Sequence, residues 1–156
     1  MKLRGAVVRA ALLLGVTMAS PAQEKSEDRL TMNDLPAAVK KTVLEVSRGL
    51  KLRGLTREAK KGQTFYEVGL EVNGRTRDVI IDSTGAVVLV EEEVTWESVP
   101  AAVRAAIEKG AAGGKIRLVE TLTRNNQIEA YEAHVRKDGK EFEIKVDPSG
   151  KPIVEK

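Results

Sequence analysis

Two stretches of the chain show the spacing of an amphipathic helix. Apolar residues recur there every three or four positions, which places them on one helix face that needs a surface to pack against. In the first stretch they are Leu35, Val39, Val43, Val46 and Leu50. In the second they are Val99, Val103 and Ile107. Asp34 and Ser98 precede Pro36 and Pro100 by two positions, so both are predicted N-caps.

After each helix, apolar and polar residues alternate as in half-buried strands. Asn73-Gly74 and Asp138-Gly139 predict type I′ turns, since these residues tolerate positive φ. Later turns are predicted at 82–85 and 147–150. Further strands are predicted from Lys51 to Ala59, from Lys115 to Thr123 and from Ala86 to Val90. Each helix is therefore expected to pack on one face of four antiparallel strands.

The two halves also match each other in sequence. Leu35–Val39 matches Val99–Val103 at an offset of 64, and Tyr66-Glu67 matches Tyr131-Glu132 at 65. The prediction is an α+β fold of two tandem repeats, each one helix packed on a four-stranded antiparallel sheet. The predicted bounds are 32–91 for the first repeat, 92–97 for an acidic linker and 98–156 for the second repeat.

These motifs resemble a known family. LPAAV and VPAAV open the helices, YEV and YEA begin strands, and Asn/Asp-Gly and Asp-x-x-Gly turns follow. The chain is similar to PepSY-like domains, also described as β-lactamase-inhibitor-protein-like (BLIP-like). The resemblance implies an exported or membrane-proximal module that binds or inhibits other proteins, peptidases among them. In one departure, Arg77 takes the inward place of Phe142, so either the strand register shifts there or the guanidinium lies at the core's edge.

The first residues predict export. Lys2, Arg4 and Arg9 precede a short apolar run, Ala10 to Ala19, and small residues follow. Residues 1–22 are therefore interpreted as a cleaved signal peptide, which predicts a periplasmic or secreted protein with no membrane span in the mature chain. Residues 23–31 are predicted to be a disordered leader. The absence of cysteine excludes a lipid-anchored lipoprotein and disulfides.

Removal of that segment makes the chain neutral. Of the 26 Lys and Arg residues three lie in residues 1–22, which leaves 23 bases against 23 acids. A neutral chain with two Tyr, two Phe and one Trp has little to attract phosphate backbones or stack on bases. No nucleic-acid partner is expected.

Enzymatic chemistry is not predicted. His134 is the one histidine, and it occupies an outward strand position that favours a solvated or cross-strand-paired side chain. Glu67 and Glu132 correspond in the two copies, but an outward sheet face offers no burial to raise a pKa. The prediction names no catalytic residue, no metal ligand and no cofactor.

Acidic residues gather between the copies at Glu91, Glu92, Glu93 and Glu97. A solvated linker is the expected structure, because a Ca²⁺ site needs about six to eight oxygens around a tight loop. An envelope metal- or small-ligand-sensing protein that uses these acids stays open as the alternative function.

The leading hypothesis is an exported, non-enzymatic binding module that docks a protein or peptide, a peptidase among the candidates, through the outer sheet face. A plainly solvated face and pairing through a sheet edge are the competing interpretations. The candidate partner-binding residues are Phe65, Glu67, Glu132, His134, Arg136 and Lys145.

Overall fold

The computed structural model describes residues 28–154, so the predicted signal peptide lies outside the described residues. The elements are β1 (Asp28–Arg29), α1 (Ala37–Val46), β2 (Lys51–Lys60), β3 (Gln63–Val72), β4 (Arg75–Asp82), β5 (Val87–Val94), a 3₁₀ turn (Trp96–Ser98), α2 (Ala101–Ala111), β6 (Lys115–Arg124), β7 (Gln127–Lys137) and β8 (Lys140–Val146). No helix within these residues is long and apolar enough to cross a membrane.

The strands form one antiparallel sheet in chain order, β1 to β8. The prediction of two repeats, each a helix on its own four-stranded sheet, is therefore wrong. Strand β5 pairs with β6, with Val90 opposite Thr123 and Val94 opposite Val119. The fourth strand expected at the end of the second repeat is reduced to a single bridge between Val146 and Pro152. The result is one curled sheet of seven long strands, with the two-residue β1 at its edge.

The acidic segment is what joins the sheet. Glu91, Glu92 and Glu93 all lie in β5 and pair with β6, so they do not form the expected solvated linker. Their backbone groups are satisfied by hydrogen bonds between strands. The leader prediction also needs correction for its last residues. Asp28 and Arg29 pair with β2, and Leu30 packs against the hydrophobic core between α1 and the sheet.

Both helices pack on the same face of the sheet, each over its own core cluster. Helix α1 buries Val39 and Val43 against strands β2 to β4, and α2 buries Val103 and Ile107 against β6 to β8. Each such side chain contributes about 1.5–3 kcal/mol of burial free energy.

The predicted side-chain caps are absent from both helix starts. The helices begin one residue after Pro36 and Pro100, and neither has a side-chain cap hydrogen bond. The Asp34 carboxylate instead accepts from the N–H and the hydroxyl of Thr31, both at 2.7 Å. Ser98 donates its hydroxyl to the Thr95 carbonyl.

The opposite face of the sheet is concave. Four consecutive residues are buried in both β6 (Val119–Leu122) and β7 (Ala130–Ala133), although side chains alternate between faces. The helices account for burial on one face only, so curling of the sheet buries the other. Register shifts, which bend a sheet, support that curl. They lie between Leu52 and Gly54, Ile80 and Ile81, Ile116 and Leu118, and Leu122 and Thr123.

Candidate functional site

Six carboxylates from five adjacent strands converge on the concave face. This carboxylate cluster consists of Glu67, Asp78, Glu91, Glu93, Glu120 and Glu132. The strand register places Asp78 opposite Glu91, Glu93 opposite Glu120, and Glu120 opposite Glu132. Like charges at directly opposed positions destabilise a sheet. A molecule that keeps several such pairs together holds a concentrated negative charge.

The β6–β8 side of the cluster is compensated by bases. The Lys145 ammonium lies 2.9 Å from Glu132 Oε2, and His134 Nε2 lies 3.1 Å from Glu120 Oε2. Both carboxylates are buried, at 10% and 7% side-chain exposure, which makes these partners necessary. The hydrogen bond to Glu120 raises the pKa of His134 above its ordinary value, against the opposing effect of burial.

The β4–β5 side is less compensated. Burial first, and then the charges of Glu132, Glu120, Glu67 and Asp78, raise the pKa of Glu91 to about 7. Every charged group that acts on Glu91 in this way is an acid. Glu91 therefore exchanges a proton near neutral pH.

Asp78 and Glu93 have different local partners. Burial and the charge of Glu120 raise the pKa of Asp78, and the Arg53 guanidinium lowers it by a smaller amount. Glu93 accepts hydrogen bonds from Thr76, at 3.0 Å from its backbone N–H and 3.3 Å from its hydroxyl. Thr76 is a neutral donor, so it leaves the charge of Glu93 in place.

Four of the six predicted binding-face residues lie in or beside the cluster. Glu132 lies 2.9 Å from Lys145 on β8 and 3.9 Å from His134 on its own strand, and Glu67 acts electrostatically on Glu91. The other two lie apart. Phe65 is opposite Asp82 on β4, and Arg136 is exposed one residue before the end of β7.

The expectation that the outward face offers no burial is wrong. Glu132 and Glu120 are both buried on this face. Sequence reasoning treated this face as solvated because no element covers it, whereas the curl of the sheet itself shields the central strands.

Glu120 was missed by sequence reasoning for a specific reason. In an unbroken strand, Glu120 would lie on the same face as Ile116, Leu118 and Leu122. This pattern predicts that Glu120 faces the helix. The register shift between Ile116 and Leu118 changes that phase, so Ile116 packs with the helix-side core while Glu120 faces His134. The two carboxylates opposite it, Glu93 and Glu132, were visible in the sequence, but their pairing with it was not.

Arg77 lies on the helix face at the edge of the core. Its Nη2 is 2.6 Å from Glu92 Oε1, and the β3–β4 register runs without a shift past Arg77. Of the two sequence alternatives, the guanidinium at the core's edge is the observed one. Its buried Nε has no hydrogen-bond partner among the described residues. Glu92 therefore stabilises the fold through its ion pair with Arg77, whereas its neighbours Glu91 and Glu93 lie on the concave face.

Three members of this region could ligate a metal ion. Glu120, Glu132 and His134 each offer a ligand atom, and these atoms lie within 4.8 Å of one another. One imidazole and two carboxylates form a donor set that suits Zn²⁺ better than Ca²⁺, which prefers oxygen ligands alone.

An open cleft of about 400 Å³ adjoins the cluster at Glu93. Trp96, Glu108 and Arg117 lie on its walls with apolar residues of β6. It is open to solvent, and the buried carboxylates Glu120 and Glu132 do not line it.

Comparison with known proteins shows the fold. No protein-family model and no curated protein sequence matches the chain. Solved structures match it over about three quarters of its length. A DUF2874 family protein from Bacteroides uniformis aligns with a TM-score of 0.59 and 20% identity, covering 76% of this chain and 86% of that one.

Two further structures agree with it. A BLIP-like protein from Bacteroides fragilis aligns with a TM-score of 0.54 and 19% identity, covering 78% of this chain and 85% of that one. A protein from Bacteroides eggerthii, provisionally assigned to the periplasm, aligns with a TM-score of 0.61 and 18% identity, covering 77% and 86%. The chain has the fold of these DUF2874 and BLIP-like proteins.

Proposed function

We propose that this protein is a non-catalytic periplasmic module that binds a protein or peptide through the concave face of its sheet. The observation that carries the proposal is the carboxylate cluster: Lys145 and His134 compensate its charge on the β6–β8 side, whereas Glu91 is surrounded by other acids. A face of this kind gains from a partner that supplies the missing positive charge.

The periplasmic location rests on two observations. The first 22 residues have the pattern of a signal peptide. A protein of the same fold from Bacteroides eggerthii is provisionally assigned to the periplasm.

The arrangement of His134 favours binding over catalysis. In nucleophilic hydrolases a histidine contacts the hydroxyl or thiol that it activates. Here His134 Nε2 contacts the Glu120 carboxylate at 3.1 Å, and Nδ1 faces Glu143 at 3.8 Å. The imidazole is held between acids, as a charge partner.

The test is capture of a partner by immobilised protein from periplasmic extract. The wild type is compared with a Glu67→Gln/Glu93→Gln variant on the concave face and with a Glu45→Gln/Glu97→Gln variant, which removes the same number of charges on α1 and the 3₁₀ turn. A protein that binds the wild type and the second variant, and is lost from the first, supports the proposal. Equal capture by all three contradicts it. A captured peptidase would be assayed for inhibition, the role implied by the family resemblance.

A second candidate function is the sensing of a divalent metal ion. The specific observation in its favour is the convergence of Glu120, Glu132 and His134 ligand atoms within 4.8 Å. Calorimetry with Zn²⁺ and with Ca²⁺ tests it, with His134→Ala as the variant that removes the nitrogen ligand. Heat from Zn²⁺ that the variant loses would support a metal site, and no heat from either ion would exclude one at the concentrations used.

A further inference from the structure

We infer that the partner presents an arginine side chain to the concave face, where its guanidinium binds between Asp78 and Glu91. This inference rests on the proposed function and specifies the chemistry of its partner. The position is the part of the carboxylate cluster that Lys145 and His134 do not serve.

Accessibility separates this pair of carboxylates from the buried acids of β6 and β7. Asp78 and Glu91 are partly exposed, whereas Glu120 and Glu132 are buried and already bonded to bases of this chain. A cation from solvent can therefore reach Asp78 and Glu91, which face each other across β4 and β5.

The spacing of this pair fits a guanidinium. Residues directly opposite on antiparallel strands have Cβ atoms about 5 Å apart, and Asp78 and Glu91 are such a pair. A guanidinium carries five N–H donors in a rigid planar fork, so it can donate to two carboxylates at once. An ammonium group is a single point charge and lacks this geometry.

Apolar side chains beside the pair would receive the arginine stem. Leu122 lies opposite Glu91 on β6, and Ile80 lies on β4 two residues from Asp78, on the same face. Arginine characteristically packs its methylene groups on apolar surface while its charged end stays bonded. The site thus offers contacts to both parts of the side chain.

Repulsion between the carboxylates favours the binding of a cation at Glu91. Glu132, Glu120, Glu67 and Asp78 all oppose the charge of Glu91, and within residues 28–154 no hydrogen bond or ion pair to the Glu91 carboxylate is found. A bound guanidinium would relieve that repulsion, and charge-assisted hydrogen bonds are the stronger kind.

The experiment is an NMR titration of the ¹⁵N-labelled chain with a short peptide, Ser-Gly-Arg-Gly-Ser, at pH 8 in the presence of EDTA. The matched probe carries citrulline, which keeps the shape of arginine and removes its charge. We expect shifts at the amides of Asp78, Glu91 and Leu122, and binding of the citrulline peptide weaker by about tenfold.

Variants complete the test. Asp78→Asn/Glu91→Gln should weaken binding of the arginine peptide by about tenfold, since two charge-assisted contacts are lost. Glu45→Gln/Glu97→Gln, on α1 and the 3₁₀ turn, should leave it unchanged. Thermal unfolding of each variant checks that it is folded, and substitution of a repelled carboxylate by its amide isostere is not expected to impair folding.

The inference is overturned if arginine and citrulline peptides bind equally, if the shifts fall outside the concave face, or if binding appears only when EDTA is replaced by a divalent metal. The capture experiment tests the proposed function separately. If the peptide titration fails but the Glu67→Gln/Glu93→Gln variant still loses the captured partner, the arginine specificity is wrong and the proposed function stands.

Discussion

At the scale of single residues, the molecule treats neighbouring acids in opposite ways. Glu92 faces the helices and pairs with Arg77, whereas Glu91 faces the concave side among other acids. Because strand side chains alternate, one step along β5 exchanges a compensated site for a repulsive one. The sequence shows three consecutive glutamates, and their roles follow from the face that each occupies.

The raised pKa of Glu91 predicts how stability depends on pH. The folded-state pKa of about 7 lies above the ordinary 4.5, so between these values the folded protein binds more protons than the unfolded chain. Stability therefore falls as pH rises from about 4.5 to 7, by about 2 kcal/mol after allowance for the partial exposure of the group.

Glu91→Gln should remove this dependence. We expect the variant to unfold at a higher temperature than the wild type at pH 8 and at nearly the same temperature at pH 5, as measured by circular dichroism. Glu97→Gln is the control and should follow the wild type at both pH values. A Glu91→Gln variant less stable than the wild type at pH 8 would contradict the assignment.

His134 adds a second dependence in a higher window. Its folded-state pKa is raised, mainly by Glu120, so its contribution to stability is fully present below about 6.5 and is lost as pH rises through the folded value. We expect His134→Gln to destabilise the protein more at pH 6 than at pH 9. A ¹H–¹⁵N titration of the imidazole checks the direction, and a midpoint below 6.5 would be inconsistent with it.

At the scale of elements, the tight turn after β8 packs directly against the start of α2. The Asp147 carboxylate accepts from the N–H groups of Ser149 and Lys151, at 2.8 and 3.0 Å, which shapes the turn that follows β8. Gly150 in that turn has φ +86° and meets the start of α2, where a Cβ would lie 2.6 Å from the Ala102 carbonyl oxygen. The Asp-x-x-Gly turn therefore allows α2 to pack closely against the end of the sheet.

Gly150→Ala should be clearly more destabilising than Gly139→Ala. Both glycines have positive φ, at +86° and +77°, but space around Gly139 is open. Strain alone costs about 1 kcal/mol, and the clash at Gly150 should add about 1–3 kcal/mol. Urea unfolding of the two variants measures the difference, and equal losses would show that close packing on α2 is unimportant.

The elements also show where sequence reasoning succeeds. The Asn73-Gly74 and Asp138-Gly139 turns are confirmed, with positive φ at all four residues. Local chemistry decides such turns, so the sequence is sufficient there. The phase of β6 was not predictable in the same way, because the shift after Ile116 has no distinct residue signal.

At the scale of the whole molecule, the joint between β5 and β6 makes the sheet one structural unit. Val90–Val94 pair with Val119–Thr123, which connects the two core clusters through a continuous ladder. Two separate helix-and-sheet repeats would have unfolded independently, whereas a shared sheet favours a single cooperative transition.

Val43→Ala tests this cooperativity. Val43 lies on the buried face of α1 in the first cluster, and its truncation should cost about 2 kcal/mol. Trp96 packs against the second cluster and is the one tryptophan, so its fluorescence reports on the other half. We expect the urea midpoint seen by Trp96 to shift as much as that seen by circular dichroism. An unchanged Trp96 midpoint would mean that the halves unfold separately.

Hydrophobic spacing and turn residues were enough to place both helices, most strands and the tight turns, because these features depend on contacts between residues close in the chain. They also identified four residues in or beside the candidate site: Glu67, Glu132, His134 and Lys145. Whether β5 would end at a linker or pair with β6 depended on contacts between distant segments. The same pairing and the curl of the sheet buried Glu120 and Glu132 and brought Asp78 and Glu91 together on the concave face. Burial and electrostatic repulsion are properties of that assembled surface, so the chemistry of the site became visible only in three dimensions.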